Sequence, residues 1–280
     1  MKKYKMVALD IDGTTVDSKG KLSDHTIDVI QKTVKKGVPV CLCTGRNVRN
    51  TMPIVKKLNV KTPFICIDGA VMYDPVEKKV IKEKIIPRDT LKEISKIADK
   101  YHVYMEFCTF NNYIKYLKER ELEKYSYGGV PKNPIQKTRF FFNGVRIVDS
   151  LEKIYSIKNN INQFLIGGDE KTIAKIKEEL ETKAFDDVIL RYDLWENYIF
   201  VASKDAVKSE GVKLLCDHYD IDISEAIAVG DQMNDIDMII KAGFGIAMGN
   251  AHDKIKEAAD HITITNDENG VAKILEEFVL

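Results

Sequence analysis

No charge of one sign prevails in this chain: 43 lysines and arginines stand against 43 aspartates and glutamates over 280 residues, a formal net charge of zero. A nucleic-acid surface or an anionic-membrane anchor needs a basic excess, so neither partner is expected, and any anion must be held by a few local cations. Long apolar runs are lacking too. The stretch after the N-terminal MKKYK ends at Asp10, too short for the hydrophobic core of a signal peptide or for a span of ~20 residues; no membrane is expected, and the cytoplasm is the expected address. Cysteines are few and odd in number, Cys41, Cys43, Cys66, Cys108 and Cys216, mostly inside apolar stretches such as VCLCT and FICI. That argues for reduced, buried thiols and against a disulfide framework or a thiolate zinc site. The five histidines, His25, His102, His218, His252 and His261, have no metal-ligand spacing, and the absence of repeats and low-complexity segments excludes arrays and flexible linkers.

What is present is an ordinary globular composition, 44% hydrophobic and 31% charged, in a chain longer than a usual single domain of ~100 to 200 residues. KMVALDI is a short apolar run ending in acid. SDHTIDVIQKTVKKG places Ile27, Ile30 and Val34 at helical spacing between Ser23 and Gly37, and VPVCLCT is again a buried run. Strand, helix and strand in that order form a βαβ unit with parallel strands, so Asp10 and Thr44 both sit at carboxyl ends, where open parallel sheets bind ligands. PFICI then ends at Asp68 and Gly69, and VMYDPVEKKVIK reads as a hairpin turning at Asp74 and Pro75. From about residue 85 to 200 the pattern changes, with helices such as RDTLKEISKIADKY and strands such as VYMEFC, NQFLIGG and VILRYD. After it the parallel pattern resumes with SEGVKLLCDHY, AIAVGD, NDIDMIIKAG and FGIAMGN. The expected class is α/β, with a second α/β unit inserted into the first.

In DIDGTT, Asp10 and Asp12 lie two apart where a strand becomes a loop, and Gly13 allows a tight turn. VGDQMND supplies Asp231 and Asp235 at another strand end, completing a hard-oxygen cluster suited to Mg²⁺. Any one of these acids alone would read as a helix N-cap; four together read as a metal site. A calcium loop also opens with DxD but needs a Glu at its twelfth position, here Lys21. Thr44 in LCTGRN ends a strand before a helix, where its hydroxyl and the amides of Gly45 and Arg46 are placed either to receive a phosphate or to cap the helix. Lys208 in AVKSEG lies just before a helix, a point charge able to neutralise a phosphate or a carboxylate, with Lys204 as its local competitor. Tyr192, Trp195 and Tyr198 near the end of the insertion are expected to pack.

In this order, with a DIDGT pair, a hydroxyl at a second strand end, a lysine and a final acidic pair, the residues resemble the four motifs of the haloacid dehalogenase superfamily, at Asp10 to Thr14, Thr44, Lys208 and Asp231 to Asp235. The long insertion, with TGR at Thr44 to Arg46, GDQMND and AMGNA at Ala247 to Ala251, is similar to the Cof-type sugar-phosphate phosphatases. Departures are Asp68 where such proteins usually have the Asn of NGA, Thr15 for a common apolar residue and Ser209 for a frequent Gly. The resemblance implies a Rossmann-like parallel-sheet core, residues 1–84 and 201–280, with an inserted α/β cap, residues 85–200, that sets specificity. It implies catalytic roles for Asp10 as nucleophile, Asp12 as general acid and base, Thr44 and Lys208; substrate contacts from Thr44, Gly45, Arg46, Lys208 and Asn234; and Mg²⁺ held by Asp10, the Asp12 carbonyl and Asp231, with Asp235 acting through water. The expected partner is a small phosphorylated metabolite, with sugar phosphates, FMN and pyridoxal phosphate all open. The rivals are a phosphomutase with the same chemistry and a non-catalytic phospho-aspartate switch. A switch module needs only ~120 residues and no insertion, and a cation-pumping ATPase needs membrane spans.

Overall fold

The computed structural model describes residues 4–126, 129, 131–192 and 197–280. The chain divides into two compact units, Met1–Glu83 with Ala206–Leu280, and Lys84–Asp205.

The first unit opens with β1 (Met6–Leu9), buried at every position, followed after a loop by α1 (Asp24–Lys35). Ser23 starts that helix by accepting the Thr26 N–H at 3.0 Å, and the helix turns Val29 and Ile30 inward. Strand β2 (Val40–Leu42) leads to α2 (Val48–Leu58), capped by Asn47 and ended by left-handed Asn59. Strand β3 (Phe64–Cys66) is followed by the hairpin of β4 (Val71–Asp74) and β5 (Lys79–Glu83), whose turn is fixed by Asp74 Oδ1 accepting the Val76 and Glu77 N–H groups.

The second unit contains α3 (Arg88–Asp99), β6 (Tyr104–Cys108), β7 (Tyr113–Tyr116), α4 (Pro134–Phe142), β8 (Val145–Val148), α5 (Leu151–Tyr155), β9 (Gln163–Gly167), α6 (Glu170–Glu181), β10 (Val188–Arg191) and β11 (Tyr198–Ser203). Its six strands run in the order β10-β11-β9-β6-β7-β8, antiparallel except for the β7–β8 pair. Ile94, Ile97, Phe107, Phe164, Ile166, Ile173 and Ile176 form its core between sheet and helices. Because β11 pairs with both β9 and β10, the expected seam at residue 200 falls inside a strand, and the unit runs on to Asp205.

The first unit resumes with α7 (Lys208–His218), β12 (Ala226–Gly230), α8 (Ile236–Lys241), β13 (Phe244–Ala247), α9 (Asp253–Ala258), β14 (His261–Ile262) and α10 (Gly270–Phe278). Its main sheet is parallel, in the order β14-β13-β12-β1-β2, and a parallel bridge between Cys43 and Ile65 brings β3 beside the end of β2. The strands are continuous apolar runs because helices cover both faces of such a sheet. The chain leaves β1 for β2 on one side, whereas β12 and its successors lie on the other. The carboxyl ends of β1 and β12 therefore flank a topological switch point, the place where such sheets open a crevice.

Candidate active site

Asp10 follows β1 and Asp231 follows β12, so the pairing of these strands sets the two carboxylates side by side. Asp10 is 5% exposed, Asp231 2% and Asp235 not at all, and oxygens from all three lie within 4.8 Å of one another. Gly13, at φ +75°, is what permits this: a Cβ there would sit 2.2 Å from Asp231 Oδ2. Thr14 donates its hydroxyl to Asp231 Oδ1 at 2.9 Å, Gln232 Nε2 donates to Asp231 Oδ2 at 3.1 Å, and Asn250 Nδ2 holds the Gly13 carbonyl at 2.8 Å. Asp235 Oδ2 accepts the N–H groups of Asp231 and Gln232, each at 3.0 Å. Three buried carboxylates facing one point form a hard donor set that fits a small divalent cation such as Mg²⁺. Asp235 is near enough to ligate, but it already accepts three hydrogen bonds, two backbone N–H groups on Oδ2 and the Lys208 ammonium on Oδ1, where each Asp231 oxygen accepts one.

Lys208, the first residue of α7 and 1% exposed, lies at the centre of this cluster. Its Nζ donates to Asp10 Oδ1 at 2.6 Å and to Asp235 Oδ1 at 2.5 Å, which spends two of its three N–H groups. Burial alone would favour the neutral amine, but Asp10, then Asp235 and Asp68 hold the ammonium well above its ordinary pKa. Lys204, the local competitor of Lys208 in the sequence, is exposed and belongs to the other unit. Burial also pushes Asp10 well above the usual carboxylate range, against the Lys208 charge and with added repulsion from Asp235 and Asp231.

Asp231 is pushed up to about 6, first by burial and then by Asp235. Between its ordinary 3.8 and about 6 the folded protein keeps a proton that the unfolded chain has lost, so this group makes the metal-free fold less stable as pH rises through that window. A cation bound here must displace the proton at the acid end. Added Mg²⁺ is therefore expected to raise the melting temperature clearly at about pH 7.5 and far less at about pH 5. Equal shifts in thermal melts at the two pH values would contradict a metal bound through Asp231.

Thr44 is buried after β2, but it does not cap α2; Asn47 does, by accepting the Asn50 N–H at 3.1 Å. Thr44 Oγ1 accepts the Arg46 N–H at 3.2 Å, which removes that amide from the expected anion cradle and leaves the Thr44 hydroxyl proton to donate. The Arg46 guanidinium forms a bidentate pair with Asp12, Nε to Oδ2 at 2.7 Å and Nη2 to Oδ1 at 2.5 Å. The Asp12 carboxylate thus stands apart from the buried trio, with 58% of its side chain exposed. Any part it takes in holding a metal falls to its backbone carbonyl. Asn234 donates Nδ2–H to Asp68 Oδ1 at 2.9 Å, and Gly45 lies close to the same carboxylate.

Three contacts of the site carry no spacing signal. Thr14 and Asp231 are 217 residues apart, Asp68 and Asn234 166, and Asn250 reaches Gly13 across 237; only the topology joins them. Tyr198 donates to the Tyr125 carbonyl and Tyr192 lies under the Lys177 ammonium, both within the second unit, whereas Trp195 is outside the described residues. Burial pushes the Cys41 and Cys66 thiols up to about 12 and Cys216 to about 11, so they stay protonated and inert.

A family model of haloacid dehalogenase-like hydrolases matches residues 7–275. The chain belongs to that family. As a haloacid dehalogenase-like hydrolase it is 28% identical to Phosphatase YwpJ of Bacillus subtilis (strain 168), over 98% of this chain and 100% of that protein. It is 25% identical to 5-amino-6-(5-phospho-D-ribitylamino)uracil phosphatase YitU of the same organism, over 98% and 97% of the two chains. A solved haloacid dehalogenase-like hydrolase from Bacteroides thetaiotaomicron superposes with a TM-score of 0.81 at 25% identity, covering 98% of this chain and 99% of that one. This hydrolase is thus an α/β enzyme of the phosphatase type. No helix among its described residues is long and apolar enough to cross a membrane.

Proposed function

We propose that this chain is a Mg²⁺-dependent phosphatase of small phosphorylated metabolites, working through an aspartyl-phosphate at Asp10. The observation that carries the reading is the contact of a buried Asp10 carboxylate with the Lys208 ammonium, beside Asp231 and Asp235, at the switch point of a parallel sheet. Bound by Asp10, the Asp12 carbonyl and Asp231, Mg²⁺ would neutralise the carboxylates and draw charge from the phosphoryl oxygens. Asp235 fixes Lys208 and the Asp231 loop.

The remaining chemistry belongs to the side chains. An Asp10 oxygen attacks phosphorus in line as the bond to the leaving oxygen breaks, and Asp12 gives that oxygen a proton. Water then attacks phosphorus, Asp12 takes its proton, and the bond to Asp10 breaks to release phosphate. The third Lys208 N–H, the Thr44 hydroxyl, the Gly45 amide and Asn234 hold phosphoryl oxygens, the kind of charge stabilisation on which phosphoryl transfer chiefly depends. Arg46 meets substrate when it leaves Asp12.

These groups read only a phosphate, so specificity is assigned to the insertion at Lys84–Asp205. One relative's name specifies a phosphorylated ribitylamino-uracil, which supports a phosphorylated sugar-like alcohol as the substrate class. Five buried free cysteines support a reducing, cytoplasmic setting. The test is phosphate release from a panel of sugar phosphates, sugar-alcohol phosphates, FMN and pyridoxal phosphate, with Mg²⁺ and then with excess chelator. Release without any acceptor sugar, abolished by the chelator, is expected. Transfer only to an added sugar would indicate a phosphomutase, and full activity in chelator would remove the metal.

A further inference from the structure

Lys208 opens α7, yet the residue before it gives that helix no cap. A helix leaves its first N–H groups without partners inside it, and a side chain at the N-cap ordinarily accepts from the second or third of them. Here the N-cap is Val207, which has no side-chain oxygen. The N–H of Ser209, second in the helix, donates instead to Asp237 Oδ2 at 2.9 Å, and Asp237 lies in the first turn of α8, 28 residues further along the chain. A helix N-terminus favours a carboxylate in that place.

Asp237 follows Asp235 by two residues, so one short segment grips Lys208 at both ends. Asp235 Oδ1 accepts from the Nζ ammonium at 2.5 Å, and Asp237 accepts the backbone N–H of the next residue. Close packing confines the start of the helix sideways: a Cβ on Gly69 would come within 2.1 Å of the Val207 carbonyl oxygen, and one on Gly211 within 2.7 Å of Ile65 Cγ2. Packing of that kind resists displacement but does not orient an amide. The Ser209 hydroxyl, buried and without a partner among the described residues, does not share the bond to Asp237. A second tie between the two helices, Lys241 to Glu210 at 3.2 Å, is solvent-exposed and so contributes little.

We propose that Asp237 is a positioning residue for Lys208: by accepting the Ser209 N–H it fixes where α7 begins and so keeps the third Lys208 N–H aimed at a phosphoryl oxygen. This rests on the phosphatase reading above. The lysine head is already tied to Asp10 and Asp235, so a shift of its backbone cannot be absorbed without turning the ammonium. An error of about 1 Å in a positioned group costs a large factor in rate. The fold loses less, because Met238 of α8 and Val212, Leu215 and Cys216 of α7 stay buried in one core.

Asp237→Ala removes the acceptor, whereas Asp237→Asn keeps an oxygen that caps a helix as well as that of Asp. In Mg²⁺ buffer well below the melting temperature, kcat/KM for an aryl phosphate should fall about tenfold in the Ala variant. The competitive inhibition constant of inorganic phosphate should rise by a similar factor, and the Asn variant should stay within about threefold of wild type in both. A loss of stability alone lowers the melting temperature or the active fraction, and neither changes an inhibition constant. Should the Ala variant not fold, Asp237→Leu, similar in volume and a good helix former, carries the same expectation. An unchanged inhibition constant in a folded Ala or Leu variant, or an Asn variant as weak as Ala, overturns this proposal alone. A wild-type protein that releases no phosphate removes the phosphatase reading and this proposal with it.

Discussion

Asp10→Asn should release phosphate at the background rate, at least about 10⁴-fold below wild type in Mg²⁺ buffer, while folding normally. The amide keeps the shape of the carboxylate and can still accept from Lys208, but it has no anionic oxygen with which to attack phosphorus. Lys208 also keeps its bond to Asp235, so the buried ammonium is not left without a partner. The stability effect should be small beside the activity effect. Burial pushes Asp10 up and its carboxylate neighbours add repulsion, so above its pKa the metal-free fold bears the cost of an ionised group that it would rather protonate. A neutral isostere removes that cost but also removes the charge that does most to hold the buried Lys208 ammonium, so the two effects oppose each other and without metal the variant should melt within a few degrees of wild type. Activity above about 1% of wild type would rule out Asp10 as nucleophile.

What could be read in the sequence was whatever local patterning controls. Short apolar runs ending in Asp10, Thr44 and Asp231 gave the strands of the main sheet, because a parallel strand covered on both faces has no polar alternation to obscure it. Ser23 gave the start of α1 for the same local reason. The start of α2 was not legible: the sequence offers Thr44 either as a phosphate ligand or as the helix cap, but Asn47 is the cap and the Arg46 N–H folds back onto Thr44. Strand β8 reads VRIV and lies at the edge of its sheet, with Arg146 and Ile147 exposed, so no buried face imposes a period on it. The contacts that complete the site were illegible in a different sense. Asp68 with Asn234 and Thr14 with Asp231 each join segments that only the strand order brings together. The bidentate hold of Arg46 on Asp12 likewise spans 34 residues between two loops, and no periodicity could report it.

That pair bears on the role of Asp12. While both of its oxygens accept from Arg46, the pair stands between Asp12 and any proton it would move, so each half of the cycle requires the pair to loosen. Removing the carboxylate should slow both formation and breakdown of the phosphoenzyme, and the leaving group tells the two apart. An aryl phosphate departs as a stable anion and needs little acid help, whereas attack by water still needs the base. Asp12→Ala, mixed rapidly with an aryl phosphate in saturating Mg²⁺, should therefore show a burst of the phenolate close to one equivalent per active site, then steady turnover lower by about 10²- to 10⁴-fold. With an alkyl phosphate the first step also lacks its acid, and no burst should appear. Because Asp10, Asp231 and Asp235 remain, Mg²⁺ should still raise the melting temperature of the variant, which separates lost proton transfer from lost metal. Equal slowing for aryl and alkyl substrates, with that thermal shift intact and no burst for either, would deny Asp12 any part in moving protons. Its remaining role would be structural, through Arg46 and the loop that carries Thr44.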